Sequence, residues 1–188
     1  MEQPHMGMLG KSTPFDLLLK ANELYINSTA SLPERQKAQA NSRVDIGFRL
    51  GKLYFSVAIK NLEEILTEPN YTILPVVKPW MKGVANMRGH LLPVVDLCKL
   101  FGIASETTRK QRRVMAVKNL DGGYVGFLVD AVFGMQQVTT EIQLPDSLNV
   151  PNILKPFILG VHKEDQQNWL VFDAETFMAN PLFLNIGI

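Results

Sequence analysis

The sequence predicts a mainly β protein built of two similar small β units, with a helical extension in front. Three observations carry that expectation. From Val44 onward apolar and polar residues alternate over short runs, the period of a half-buried strand. The 11 prolines and 13 glycines punctuate the chain so often that no long periodic helix fits in its body. There is also a cryptic repeat: Pro79, Gly83, Val84 and Asp96 recur as Pro156, Gly160, Val161 and Asp173, each pair 77 positions apart.

The elements follow in order. Thr13-Pro14-Phe15-Asp16 has the form of a helix start, with Thr13 as N-cap, Pro14 at the first helical position and Asp16 at the third. Phe15, Leu18, Leu19 and Tyr25 fall near one face, so one amphipathic helix is expected within residues 1–42. A polar stretch from Ser31 to Ser42 completes that extension, with room for a short helix after Pro33. Val44, Ile46, Phe48 and Leu50 then point one way and Asp45, Gly47 and Arg49 the other; Gly51-Lys52 turns the chain, and Phe55, Val57 and Ile59 return. Leu62-Glu63-Glu64-Ile65 has two readings. One is an ordinary edge strand carrying charge against aggregation; the other is a groove in which Leu62 and Glu64 share one face with Arg88 nearby. A second hairpin runs from Val114 to Val117, turns at Asp121-Gly122-Gly123 and returns through Val125, Phe127 and Val129. Within the repeat, Leu92, Val94 and Val95 match Trp169, Val171 and Phe172, and short helical runs follow each aspartate, Leu97 to Phe101 and Ala174 to Met178. The β body is therefore expected over 43–182, in halves of roughly 43–105 and 106–182, with 183–188 as a tail.

Composition narrows the function. A chain of 188 residues, 46% hydrophobic and 20% charged, is of ordinary globular make-up. A net charge of +1 gives no field of the kind that gathers nucleic acid or an anionic membrane. One cysteine, Cys98, excludes an internal disulfide and fits a reducing compartment. Neither a signal peptide nor a membrane-spanning run is visible, so the expected location is the cytoplasm.

Trp80 to Leu97 is the most informative stretch. A short amphipathic run ends in Asn86-Met87-Arg88-Gly89, and an apolar strand then leads to Asp96. Asn86 tolerates positive φ and Gly89 permits it, so Arg88 is expected in a tight turn at a strand entrance. Its guanidinium offers five donors, and with no nucleophile or base beside it the segment reads as a recognition surface. The position matching Arg88 in the second unit is Asp165, so the scaffold repeats while the arginine does not.

Other constellations have bland readings. Asp96 and Asp173 stand where a strand gives way to a helix; a general base would want a partner that neither has, whereas N-capping needs nothing else. His5, His90, His162 and Cys98 lack metal-ligand spacing, and no glycine-rich phosphate cradle is present. No metal, cofactor or catalytic residue is therefore expected. Cys98 fits a small buried hydrophobe. Arg109-Lys110-Gln111-Arg112-Arg113 could grip phosphates, but without interleaved aromatics it reads as a solvated linker or a protein-docking patch.

These residues carry a resemblance. Ile46-Gly47-Phe48-Arg49-Leu50-Gly51, Leu62-Glu63-Glu64-Ile65, Lys82 to Gly89, Leu92-Pro93-Val94-Val95-Asp96-Leu97 and Gly126 to Asp130 resemble the CheW-like coupling domain of bacterial chemosensory systems. Thr13 to Leu18, Lys110 to Arg113 and Phe133 to Gln136 are similar to the PilI-type subfamily of type IV pilus twitching systems. The resemblance implies two SH3-like five-stranded barrels packed together, with strands free to be exchanged between them. It implies a non-catalytic adaptor joining the cytoplasmic tip of a chemoreceptor to the regulatory domain of a CheA-type histidine kinase, at the receptor array. A flagellar-type coupling protein is the alternative, and a small β-barrel nucleic-acid binder a remote one. Carried onto this sequence, the interface would include Leu62, Glu64, Ile65, Gly83, Asn86, Arg88 and Gly89. Two positions depart from the family pattern: Ser56, where Gly or Ala is usual nearby, and Cys98, where Arg often follows the Asp-Leu pair.

Overall fold

Arg43–Leu50 (β1) and Leu53–Ala58 (β2) form the first hairpin, turned at Gly51-Lys52 as the alternation predicts. The computed structural model describes residues 43–118, 122–138, 143–145, 148–164 and 166–188. The helix expected between Thr13 and Tyr25, the rest of the 1–42 extension, Asp121 and Asp165 lie outside these residues. The remaining strands are Leu62–Thr67 (β3), Met81–Met87 (β4), His90–Asp96 (β5), Arg113–Lys118 (β6), Tyr124–Val129 (β7), Ala131–Val138 (β8), Ile158–Glu164 (β9) and Gln167–Phe172 (β10). Short helices follow β5 and β10: Leu97–Phe101 (α1), then Ala174–Ala179 (α2) and Pro181–Leu184 (α3).

The strands make two five-stranded sheets, in the orders β8-β1-β2-β10-β9 and β3-β6-β7-β5-β4. Each sheet takes its central hairpin from one half of the sequence and its other three strands from the other half. The halves meet in each sheet at one antiparallel pair, β1 with β8 and β3 with β6, and at one parallel pair, β2 with β10 and β5 with β7; every other strand pair is antiparallel. The 77-residue repeat is thus spatial as well: the β4–β5 and β9–β10 hairpins occupy equivalent places in the two sheets.

One continuous core lies between the sheets. Ile46, Phe48, Leu50, Phe55 and Val57 of the first join Met115, Val117, Val125 and Phe127 of the second. Phe177 of α2 is fully buried at its centre, its ring 5.3–5.6 Å from those of Phe101, Phe127, Phe157 and Phe172. Burying one such side chain is worth about 1.5–3 kcal/mol. On its other face the second sheet encloses an apolar cluster, Ala85, Met87, Leu92, Val94, Val114, Ala116 and Leu128. A side chain at Gly126 would come within 2.8 Å of Val114 there.

The equivalent face of the first sheet buries the polar Asp45, Ser56 and His162 beside the packed rings of Tyr54, Phe133 and Trp169, and this corrects the reading of β1. Asp45 does not point to water. It is fully buried, accepting the Ser56 hydroxyl at 3.0 Å and the Arg43 guanidinium at 3.0 and 3.2 Å, with β2 on one side and β8 on the other. Gly47 is required beside it: a Cβ would stand 2.6 Å from the Trp169 ring. A second correction concerns β3. A bulge between Leu62 and Glu64 sets Leu62 against Val117 of the intersheet core and Glu64 against Ala116 of the barrel interior. The two side chains therefore point to opposite faces.

Candidate functional site

The β4–β5 hairpin closes through two residues, Arg88 and Gly89, with Met87 paired to His90. Two-residue hairpin loops match the strand twist best when both central residues have positive φ, a demand usually met by Asn-Gly or Gly-Gly. Here φ is +51° at Arg88 and +87° at Gly89. The left-handed conformation thus falls on the arginine itself, whereas the sequence reading had given it to Asn86. Asn86 shapes the turn differently, its Oδ1 accepting the Gly89 N–H at 2.9 Å. The Arg88 side chain stays 74% exposed, and its Nη2 meets Glu64 Oε1 at 3.0 Å. The second Glu64 oxygen is buried and accepts no hydrogen bond.

Arg88, Gly89, Asn86 and Glu64 therefore come together at one end of the second barrel. Leu62 and Ile65 do not join them: Leu62 is half-buried against the core, and Ile65, 42% exposed, pairs with Met115 on the face opposite Glu64. Gly83 is covered. Its φ is +133°, and a Cβ would lie 2.1 Å from the Thr72 carbonyl oxygen. The bare backbone there lets residues 70–73 strap across β4 through Thr72 N–H to Val84 O (2.8 Å) and Val84 N–H to Thr72 O (2.9 Å).

The basic run disperses. Arg113 donates to the carbonyls of Lys110, Gln111 and Arg112, and Arg109 contacts Glu68 at 3.5 Å. Arg112 is half-buried, its side chain 12% exposed, with its two terminal nitrogens 3.0 and 2.9 Å from the Asp96 carboxylate. It is structural, which corrects the reading of a solvated patch. Burial opposes its charge, but the Asp96 hydrogen bonds outweigh that and hold the guanidinium above its ordinary pKa. Asp96 also caps α1, accepting Lys99 N–H at 3.1 Å, and Asp173 caps α2 through Thr176 N–H at 3.0 Å.

Asp130, which ends the apolar run from Gly126, is fully buried and gathers several donors. They are Gly51 N–H at 2.7 Å, the Thr107 hydroxyl at 2.9 Å, the Ser105 hydroxyl, and the Cys98 thiol at 3.7 Å. A sequence signal for it existed: an acid ending an apolar strand with no helix to cap. Burial alone would raise the Asp130 pKa; the Ser105, Gly51 and Thr107 donors and the Arg112 charge together keep it below the usual value. Cys98 is pushed up to about 12 by burial and then by Asp130 and Asp96, so it is an unreactive thiol. Among the described residues no three His, Cys, Asp or Glu side chains are grouped to hold a metal ion, and no helix is long and apolar enough to cross a membrane.

Two interlaced SH3-like barrels sharing a core, with a rigid arginine turn at one end, define a double-barrel scaffold. A family model for the CheW-like domain matches residues 46–181, and the chain belongs to that family. It is 43% identical over 180 residues to Protein PilI of Pseudomonas aeruginosa, covering 94% of this chain and 97% of that one. It is 33% identical over 163 residues to Chemotaxis protein CheW of Helicobacter pylori, covering 81% and 96%. The crystal structure of scaffolding protein TtCheW from Thermoanaerobacter tengcongensis shares the fold, with a TM-score of 0.64 at 23% identity over 74% of this chain and 94% of that one.

Proposed function

We propose that this chain is a non-catalytic adaptor that couples a chemoreceptor tip to the regulatory domain of a CheA-type histidine kinase in the cytoplasm. We assign it to the pathway controlling type IV pilus twitching, a reading supported by its identity with PilI over nearly the whole of both chains. One observation carries the docking role: Arg88 occupies a left-handed turn position at a conformational cost that glycine would avoid, while its side chain points outward. A residue that costs the fold something and supports little packing is retained for contact. The guanidinium bonds partner carbonyls or carboxylates, while Glu64 orients it through the 3.0 Å pair. Asn86 and Gly89 shape the turn, while Leu62, Ile65 and Gly83 contribute by packing and by seating the 70–73 strap.

The test uses the full chain on immobilised receptor tip and, separately, on kinase regulatory domain. Wild type is retained by both and Glu64→Lys, which sets a like charge against Arg88, by neither. Incubation with labelled ATP and magnesium leaves the chain unlabelled. Deleting the gene stops twitching and spares swimming. Retention by neither partner, or the reverse motility defect, would sink the reading.

A further inference from the structure

The chain passes between its two sheets at only two places among the described strands, and they are built differently. From β2 to β3 it crosses through Ile59–Asn61, a short 3-10 turn with no buried residue. From β7 to β8 it crosses through Asp130 alone. The Asp130 N–H donates to Arg49 O of β1 at 3.0 Å, fixing the crossing to the first sheet. Its Oδ2 accepts Gly51 N–H at 2.7 Å, at the tip of the β1–β2 hairpin. Its Oδ1 takes the Ser105 and Thr107 hydroxyls from the segment that leads to β6. Arg112 Nε stands 3.8 Å from Oδ1, while the rest of its guanidinium grips Asp96 at the end of β5 in the second sheet.

We infer that Asp130 is the joint that sets the angle between the two sheets, and that signals carried as sheet orientation depend on it. The second clause rests on the adaptor reading above; the first does not. Hydrogen bonds of 2.7–3.0 Å are directional, so the side toward the first sheet and the linker is held closely. The side-chain contact with Arg112, whose other atoms grip the end of β5, is the looser one: Arg112 Nε is buried yet makes no hydrogen bond, and 3.8 Å is an ion contact. A small rotation of one sheet on the other closes or opens that contact while the rest of the network stays intact. Packed bodies with such a contact move as rigid units, the form of motion a scaffold uses to pass a signal. Asp130 is a positioning residue here, acting through Arg112, Gly51 and the linker.

The decisive variant is Asp130→Asn in the full chain, carrying spin labels on Thr67→Cys of β3 and Lys163→Cys of β9, both exposed and one on each sheet. The buried Cys98 does not compete for label. The interlabel distance distribution is expected to broaden or shift relative to the Asp130 chain. Kinase control is expected to fall by about 2- to 30-fold while Kd for the receptor tip stays within about twofold. Should Asp130→Asn fail to fold, the double variant Ser105→Ala/Thr107→Ala, which keeps the Asp130–Arg112 pair, is expected to give the same broadening to a smaller degree. An unchanged distribution in the folded variant would show that Asp130 serves stability alone and overturn the joint. A changed distribution with undiminished kinase control would overturn its signalling role. If the wild-type chain engages neither partner, the adaptor reading falls and the distance measurement still decides the joint.

Discussion

Replacing Arg88 by glycine separates what the turn needs from what a partner needs. The loss is the ion pair to Glu64, 3.0 Å long but with side chains 74% and 25% exposed. Screened pairs of that kind contribute about 0.2–1 kcal/mol. The gain is relief of a left-handed residue bearing a Cβ, about 1–2 kcal/mol. Glycine's larger entropy in the unfolded chain offsets about 0.5–1 kcal/mol of it. The terms nearly cancel, so Arg88→Gly is expected to unfold in urea within about 1 kcal/mol of wild type, a melting shift of no more than about 4 °C. Arg88→Ala keeps the backbone cost and loses the pair, so it should be the less stable of the two by up to about 1 kcal/mol. In binding the two converge: truncating an arginine anchor costs about 2 kcal/mol or more, roughly 30-fold in Kd. Urea titrations and calorimetric titrations against receptor tip and kinase domain read the two quantities separately. If Arg88→Gly loses more than about 3 kcal/mol of stability while its folded fraction binds normally, Arg88 is structural and the site assignment fails.

Three further outcomes are expected. Gly83→Ala forces the 70–73 strap off β4 and should cost about 2–4 kcal/mol from backbone strain and two lost hydrogen bonds; hydrogen exchange at the Thr72 and Val84 amides rises, and continued protection of both would refute the close approach. Because the folded Asp130 pKa lies below its ordinary 3.8, its stabilisation is full above the unfolded value and disappears as pH falls through the folded one. The urea-midpoint difference between wild type and Asp130→Asn should thus be level from about pH 5 to 7 and shrink below about pH 4; a difference that widens on acidification would contradict the sign. Cys98 should resist a thiol reagent at about pH 8 until urea unfolds the chain, and prompt native reaction would show that the buried face of α1 is open to solvent.

The local rules were readable where one residue type answers one geometric demand. Gly51-Lys52, the Arg88-Gly89 turn and the capping aspartates Asp96 and Asp173 are of that kind, as is the alternation of Ile46, Phe48 and Leu50. The failures came where the answer depends on distant chain. Asp45 alternates like a surface residue, and part of what encloses it lies far along the chain, β8 pairing beside it with Gln136 opposite Asp45. The bulge that parts Leu62 from Glu64 is set by pairing with β6, some 50 residues on, and leaves no mark in Leu62-Glu63-Glu64-Ile65 itself. Arg112 looked like one charge among four because its partners, Asp96 at the end of β5 and Asp130 at the β7–β8 crossing, lie elsewhere in the chain. Of the candidate site, the turn and its arginine were legible; the closeness of Glu64 followed from the family likeness, and the opposite facing of Ile65 did not follow from either.

The exchange of strands between halves also sets a timetable for synthesis. The β1–β2 hairpin leaves the ribosome early, yet its inner neighbour β10 begins about 110 residues after β2 ends. At about 5–20 residues per second that interval is about 5–20 s. During it, the Phe48 and Phe55 faces and the Asp45 site have no complete sheet around them, so the first sheet cannot finish before the second. The sheet formed around β6 and β7 closes as soon as β7 is made, since β3, β4 and β5 already exist by then. The nascent chain therefore has one half-finished body waiting beside a finished one. A break in translation after Val129 would leave that hairpin an open apolar edge for chaperones or for another nascent copy to cover.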